Sequence, residues 1–372
     1  MRRRSGVALT LVLLAAVIVA ACDRLNPGTG QASSSRSASQ VASPSETGVA
    51  SSSRSPSSPS NTSPAPSPIQ AQFPACTLPY VKPGSVGNGG PFAGGFVGGA
   101  HGQWTADPAG QVTLTGGLLV TTTKPTLIGS GFGSGDGVSY DAVVKRWLPV
   151  SAAKVRPDGL AYAYAEPYKS NPSNDLNDAA RIHVISLTDG TDRVIYTGAP
   201  RGVLAYQYEG IYTTAPRYYS EGATGLWLLD ASTGKSTQLP NGGPFSVIRN
   251  GVAWTKRPDI SSTRLNRVEV STGTSQTWVD TEGEGIIWFV GLDSSGDPLV
   301  DVWGTDNKWR LFVYTAPQVR TLLGAITVRE IGLSDSHGTW LAAEDGIYLL
   351  VPGPRLEKVS AVTGGNVAGR CS

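Results

Sequence analysis

The sequence predicts an all-β fold built from repeats of one four-stranded unit, and three observations lead to this prediction. The first is composition, since 46 Gly and 26 Pro residues accompany only 16% charged residues, as is typical of turn-rich β proteins. The second is the stretch 153–198, in which four short apolar runs are separated by two Asp-Gly turns and a polar loop. The third is a series of glycines that recurs at steps of 41 to 51 residues.

The stretch 153–198 defines the repeating unit. It contains, in order, AKVRPDG, LAYAYAE, a polar loop, RIHVISL, TDGTD and RVIYTG. Short runs rich in β-branched and aromatic residues, bounded by glycine turns, predict antiparallel strands. A single four-stranded sheet exposes both of its faces, so further copies must pack against it.

Two series of glycines follow the same period. Turns between the first and second strands are predicted at Gly110, Gly159, Gly210, Gly251, Gly296 and Gly338. Turns between the third and fourth strands are predicted at Gly190, Gly234 and Gly273. Four strands in a period of about 45 residues predict a β-propeller. We predict six blades, with the Gly-rich stretch 84–100 before the irregular first one; a seventh could form from segment 76–84 and the tail 361–371.

The N-terminus has the pattern of an export signal. Three arginines at 2–4 form a basic segment, and residues 7–21 are mostly apolar. An apolar segment of this length that ends in small residues predicts a cleavable signal rather than a membrane span. The sequence VAAC at 19–22 resembles a bacterial lipobox, which implies removal of residues 1–21 and a lipid anchor on Cys22. The alternative is an uncleaved helical anchor. We expect the protein at the extracytoplasmic face of the cell membrane.

The chain after Cys22 divides into a tether and a folded domain. Residues 22–71 are mostly Ser, Pro, Ala, Thr, Gly and Gln. Such a segment cannot bury enough apolar surface to offset the entropy of ordering it, so it is predicted to be disordered. The β-propeller is assigned to residues 72–372.

The two remaining cysteines stand at opposite ends of the folded domain. Cys76 and Cys371 would lie outside the cytosol, where disulfides persist. A propeller closes by bringing its two ends together, so we predict that this pair locks the seam. The alternative is two free thiols.

The charge of the folded domain argues against nucleic acid as a partner. Without residues 1–70, 24 basic and 26 acidic side chains remain. Nucleic-acid-binding domains show a basic excess instead. We expect a monomer whose partners are the membrane, through the anchor, and an envelope protein or cell-wall glycan.

The repeat motif resembles that of a known family. VRPDG and LAYAYAE, followed after a loop by IHVISLTDGTDRVIY, are similar to the WD-repeat-like repeat of TolB-like propellers. The resemblance covers roughly residues 100–360 and is clearest at 153–198 and 331–350. It implies a fold, in which Asp caps each turn and Gly takes positive φ. It implies no activity.

The sequence contains no strong catalytic signature. It has no G-x-S-x-G elbow, no C-x-x-C pair and no histidine pair at metal-binding spacing. We therefore expect no cofactor and no metal site, and an enzymatic activity is left open. His183 lies within a predicted strand, where a packed side chain is favoured over a catalytic one.

Long connections between the second and third strands predict a binding face. They occupy 166–180, 214–224 and 256–265, whereas the turns between first and second strands are short. Connections at that position share one face of a propeller. Tyr and Arg side chains are frequent in interface hot spots, so the candidate binding residues are Tyr168, Arg217, Tyr218, Tyr219, Lys256 and Arg257. The alternative is that these loops are merely polar.

These observations together favour a non-enzymatic function. We predict a membrane-anchored propeller that acts as a protein- or glycan-binding or scaffolding module. The alternative is a hydrolase or lyase that acts on an extracellular polymer at the mouth of the channel.

Overall fold

The computed structural model describes residues 69–83, 92–115, 118–121, 128–129, 137–168, 179–215, 225–240, 243, 245–256, 262–330 and 333–372. All of them belong to one unit that spans Thr62–Ser372. The predicted signal peptide, Cys22 and nearly all of the predicted tether lie outside the described residues. Within the described residues, no helix is long and apolar enough to cross a membrane.

The described residues are almost entirely strand and turn, apart from a 3-10 helix at Ala152–Lys154. The strands are, in chain order, β1 (Ile69–Gln70), β2 (Leu78–Pro83), β3 (Phe92–Gly98), β4 (Gln103–Thr115), β5 (Leu118–Thr121), β6 (Ile128–Gly129), β7 (Ser139–Asp141), β8 (Arg146–Leu148), β9 (Ala161–Tyr168), β10 (Ala179–Ser186), β11 (Asp192–Gly198), β12 (Gly202–Gln207), β13 (Gly210–Thr214), β14 (Leu226–Leu229), β15 (Ser236–Gln238), β16 (Phe245–Arg249), β17 (Val252–Lys256), β18 (Arg264–Glu269), β19 (Ser275–Asp280), β20 (Gly285–Leu292), β21 (Pro298–Gly304), β22 (Trp309–Ala316), β23 (Val319–Gly324), β24 (Val328–Glu330), β25 (Ser334–Asp335), β26 (Gly338–Ala343), β27 (Gly346–Val351), β28 (Arg355–Ser360) and β29 (Asn366–Val367).

Strand pairing among the described residues forms six antiparallel blades, as the sequence predicts. Blade 1 is β29-β2-β3-β4, extended by β5 and β6, and the hairpin β7-β8 follows it. Blade 2 is β9-β10-β11, and a bridge from Val155 to Tyr162 takes the place of its innermost strand. Blades 3, 4 and 5 are β12-β13-β14-β15, β16-β17-β18-β19 and β20-β21-β22-β23. In blade 6, β24 and β25 both pair with β26, and β27 and β28 follow.

Buried apolar clusters join each blade to the next. Between blades 2 and 3, for example, Ala163 and Ile182 cluster with Tyr206. Between blades 6 and 1, Trp340 clusters with Tyr80. Equivalent clusters among the described residues join blades 1 and 2, 3 and 4, 4 and 5, and 5 and 6. Because the sixth interface returns to blade 1, the blades form a closed ring.

The seam of the ring is held by strands from both chain ends and by a disulfide. The C-terminal strand β29 pairs antiparallel with β2 of blade 1. The N-terminal strand β1 pairs parallel with β28 at the edge of blade 6. Cys76 and Cys371 form the predicted disulfide, with their Cα atoms 5.6 Å apart. The C-terminal strand β29 therefore completes blade 1, whose other strands come from the N-terminal part of the domain. The N-terminal strand β1 extends blade 6, whose other strands come from the C-terminal part.

Asp335 adds a polar clamp at this seam. Its Oδ2 accepts hydrogen bonds from Trp340 Nε1 at 2.7 Å and from the Cys371 backbone N–H at 2.8 Å. Its Oδ1 accepts from the backbone N–H of His337 at 2.8 Å. One buried carboxylate thus ties a turn of blade 6 to the C-terminal end of the chain.

The predicted turns hold in blades 2 to 6, and the prediction is wrong in blade 1. Gly159, Gly210, Gly251, Gly296 and Gly338 lie at turns between first and second strands. Gly110 instead lies inside β4, next to an irregularity in its pairing with β3. The segments considered for a seventh blade do meet, as β2 and β29, but they belong to blade 1.

The Gly-rich stretch 84–100 contains a strand of blade 1 rather than preceding the blade. This strand, β3, has Gly95 opposite Ala106 of β4. A Cβ added at Gly95 would lie 2.3 Å from the Thr105 carbonyl oxygen and 2.7 Å from Trp104 Nε1. The glycine is needed because the backbone of β4 and a tryptophan ring approach the strand closely.

Candidate functional site

The six predicted binding residues fall at the ends of second strands or beyond them. Tyr168 ends β9 and Lys256 ends β17, so the structure places the backbones of both at equivalent positions in blades 2 and 4. Arg217, Tyr218, Tyr219 and Arg257 lie outside the described residues. The prediction that these residues form one face is therefore neither confirmed nor contradicted.

The connections between second and third strands all leave from one edge of the ring, which we call the loop edge. Antiparallel strands alternate in direction, so these connections lie opposite the turns that join first to second and third to fourth strands. In blades 1 to 4 the second and third strands are separated by residues 84–91, 169–178, 215–225 and 257–263. In blades 5 and 6 the corresponding turns are only 305–308 and 344–345. The long connections thus occupy four consecutive blades.

A stack of aromatic and cationic side chains lies between blades 2 and 3, where blade 3 begins at the loop edge. The Arg201 guanidinium lies 4.2 Å from the ring centroid of Trp227 and 4.5 Å from that of Tyr196. Arg201 Nη1 donates to Ser236 Oγ at 2.7 Å. Burial lowers the pKa of this guanidinium. Because each member comes from a different strand or connection, no local pattern in the sequence predicts the stack.

The opposite edge, which we call the turn edge, carries a cleft between blades 2 and 3. Its volume is about 360 Å³, which lies in the range of small-ligand sites, roughly 300–1,000 Å³. The residues that line this blade 2–3 cleft are Arg156, Leu160, Ala161, Val184, Ser186, Thr188, Thr191, Arg193, Tyr206, Ala231 and Ser232. No motif in the sequence predicts this cleft.

Two arginines define the chemistry of the blade 2–3 cleft. Arg193, at the start of β11, donates from Nη1 to the Ser232 carbonyl oxygen at 2.9 Å and from Nη2 to the Ala231 carbonyl oxygen at 2.5 Å. These bonds cross from blade 2 to blade 3. Arg156 donates from Nε to Asp158 Oδ1 at 2.8 Å. The hydrogen-bond acceptors of Arg193 are therefore neutral carbonyls, whereas Arg156 is paired with a carboxylate.

Three aspartates cap the turns next to the cleft. Asp158 Oδ1 accepts the Leu160 N–H at 2.9 Å, and Asp189 Oδ1 accepts the Thr191 N–H at 3.0 Å. Asp230 Oδ1 caps the corresponding turn of blade 3. The pKa of each of these carboxyls is lowered, and a hydrogen bond is the largest cause. The donor is the Arg156 side chain for Asp158, the Ser232 side chain for Asp230 and the Thr191 backbone N–H for Asp189. These carboxylates are thus ionised at neutral pH and directed at their own turns.

His183 is packed in β10, as the sequence favoured. Its Nδ1 lies 2.8 Å from Asp192 Oδ1, and its Nε2 lies 3.2 Å from Glu166 Oε2. The ring stacks on Tyr164, with centroids 4.6 Å apart and planes 12° apart. Both ring nitrogens are therefore engaged with carboxylates, and one face of the ring is covered.

Asp301 is a buried acid with an incomplete set of partners. It lies on β21, only 1% exposed, and its Oδ2 accepts the Val328 N–H at 3.0 Å. Its Oδ1 has no hydrogen-bond partner among the described residues. Burial raises the pKa of this carboxyl to about 7. The group lies between blades 5 and 6, because Val328 belongs to β24.

Within the described part of the chain, no group of three or more His, Cys, Asp or Glu residues could hold a metal ion. No protein-family model matches the sequence, and no curated protein matches it.

Several solved propeller structures resemble the fold at low identity. TolB from Acinetobacter baumannii gives a TM-score of 0.40 at 12% identity, over 81% of this chain and 68% of that chain. The β-propeller domain of the Trilobed protease from Pyrococcus furiosus, described as having an open velcro topology, gives 0.38 at 10%, over 76% and 85%. A prolyl endopeptidase gives 0.43 at 14%, over 80% of this chain and 50% of that chain. At these scores no activity carries over, and the fold rests on the strand pairing above.

Proposed function

We propose that the protein is an exported, lipid-anchored β-propeller that acts as a binding or scaffolding module for an envelope protein or a cell-wall glycan. The signal pattern and Cys22 support export and anchoring, and the Cys76–Cys371 disulfide fits an oxidising compartment. The Ser/Pro-rich segment 22–71 would hold the propeller away from the membrane as a flexible tether.

The observation that carries this proposal is the loop edge. Four consecutive blades of a closed ring send their long connections from the same edge. The Tyr196–Arg201–Trp227 stack lies beside two of these blades and holds one arginine in a fixed position. Tyr, Trp and Arg are the residue types that dominate interface hot spots. The proposed contact residues are Tyr168, Arg217, Tyr218, Tyr219, Lys256 and Arg257.

The alternative is a hydrolase or lyase, and a glycosidase of that kind would typically need two carboxyl groups that a substrate can reach. Asp301 has the raised pKa of an acid catalyst, but it is only 1% exposed and contacts the backbone of the next blade. We therefore favour binding over catalysis.

Changing Tyr218 and Tyr219 together to alanine tests the loop edge. Crosslinking in cells, followed by purification of the anchored protein and mass spectrometry, should identify a partner with the wild type. We expect the double variant to recover at least tenfold less of it, at an unchanged melting temperature, because removal of two hot-spot aromatics costs about 3 kcal/mol or more.

The matched control is Tyr208→Ala, since Tyr208 is 75% exposed on the turn edge of blade 3. It should retain the partner. Equal loss of partner in both variants, or a parallel fall in melting temperature, would contradict a binding surface at the loop edge.

A further inference from the structure

The geometry points to the blade 2–3 cleft as a binding site for a small monocarboxylate, such as the C-terminal end of a short peptide. The cleft is on the turn edge, so this site is separate from the loop edge of the proposed function. Either one can fail without the other.

The donors for a carboxylate come from Arg193, since Arg156 is already paired with Asp158. A guanidinium has five N–H donors in a planar fork, and two of those on Arg193 bond to the carbonyl oxygens of Ala231 and Ser232. Neither of these contacts is with a carboxylate, so they do not neutralise the positive charge of Arg193, and they leave its other N–H donors unused. Charge-assisted, two-point bonds from arginine to a carboxylate are roughly twice as strong as neutral hydrogen bonds and add geometric specificity. Both arginines are among the residues that line the cavity.

The remaining lining side chains fit a small organic group beside the carboxylate. The hydroxyl-bearing residues Thr188, Thr191 and Ser232 give the cleft a neutral polar lining, in which the Thr188 hydroxyl bonds to Ser186 and the Ser232 hydroxyl to Asp230. Ala161 and Val184 add short apolar side chains. A ligand with a carboxylate at one end and a small apolar substituent next to it would use both kinds of surface.

The turn aspartates restrict the charge of the ligand. Asp158, Asp189 and Asp230 directly neighbour the turns that form the cleft, and all three are ionised at neutral pH. Together with the two arginines they leave one net negative charge around the site, so binding of a carboxylate depends on direct contact with the Arg193 guanidinium. A single carboxylate can meet the guanidinium fork of Arg193 locally, whereas a dianion such as phosphate meets stronger repulsion from the three carboxylates.

A ligand-observed NMR titration of the full-length protein in detergent tests this inference. The probes are N-acetyl-alanyl-alanine, its C-terminal amide, glucuronate and inorganic phosphate. We expect the free acid to bind at least tenfold more tightly than its amide and than phosphate. Glucuronate binding more tightly than the dipeptide would support the monocarboxylate site and assign its ligand to sugar acids. The inference is overturned if neither carboxylate binds, if the amide binds as well as the acid, or if phosphate binds best.

Two variants locate the bound probe. Arg193→Gln removes the charge and should weaken binding of the dipeptide at least tenfold. Because Arg193 also joins two blades, its replacement could weaken binding through a change in packing. Ser232→Trp therefore provides a second variant, in which a large side chain at an exposed rim position fills the cleft and both arginines are retained. Arg264→Gln, an exposed arginine of blade 4 paired with Asp280, is the control and should bind as the wild type does. Wild-type affinity in both cleft variants would overturn the assignment.

Discussion

Replacing Cys76 and Cys371 with serine is expected to lower the free energy of unfolding by about 3–5 kcal/mol. The disulfide closes a loop with a sequence separation of 295 residues, for which the loop entropy of the unfolded chain corresponds to about 5–6 kcal/mol. Measured losses for native disulfides are typically about 2–5 kcal/mol, because native strain and residual structure reduce the entropic figure. Urea unfolding followed by tryptophan fluorescence measures the change.

Reduction provides the control for this experiment. A thiol reductant should destabilise the wild type by a similar amount and leave the double variant unchanged. Hydrogen exchange should also quicken at β1 and β29, since these short strands close the seam beside the bond. A loss below about 1 kcal/mol would show that the strand pairing at the seam holds the ring without help from the disulfide.

Asp301→Asn is expected to stabilise the protein at neutral pH. The pKa of Asp301 is about 7 in the folded state, against about 3.9 in an unfolded chain. The folded state therefore holds the proton more tightly, and stability falls as the pH rises from about 4 through about 7. Three pKa units correspond to about 4 kcal/mol, so the variant should gain up to about 4 kcal/mol at pH 7.5 and close to nothing at pH 4.

Comparing wild type and variant across pH isolates this carboxyl from other titrating groups. Burial lowers the pKa of Lys154 to about 7, so this group makes stability rise with pH above about 7 in both proteins, and its contribution cancels in their difference. Asp306→Asn is a control of opposite sign, because a hydrogen bond from Arg310 lowers the pKa of Asp306. That variant should lose stability at neutral pH. A difference between Asp301→Asn and wild type that stays constant from pH 4 to 7.5 would contradict an ionisable, buried Asp301.

Blades 2 to 6 were predictable because local chemistry marks their turns. Gly159, Gly251 and Gly296 all have positive φ, which glycine adopts without strain, so one turn residue identifies each hairpin. In blade 1 no turn joins the first and second strands, because β29 and β2 come from opposite ends of the chain. Strand β3 of this blade contains Gly94 and Gly95, which lower strand propensity but leave room for the rings of Trp147 and Trp104. That packing is a tertiary effect, so it overrides the local signal.

The seam and the cleft show what sequence periodicity leaves out. The disulfide could be predicted because ring closure requires the two ends to meet. The pairing of Tyr80 with Val367 could not, because β29 is only two residues long. In the blade 2–3 cleft, Arg156 precedes β9 and Arg193 lies at the start of β11. Arg193 also binds backbone carbonyls of blade 3. Such convergence depends on how neighbouring blades pack, which one repeat does not reveal.

The intact mass of the protein isolated from cell membranes, under non-reducing conditions, tests most directly that this is an exported, anchored and covalently closed propeller. We expect a chain that begins at Cys22, carries acyl chains on that residue, and has two fewer hydrogens than the dithiol form because Cys76 and Cys371 are joined. A chain that retains residues 1–21, with an unmodified Cys22 and two free thiols, would contradict the account.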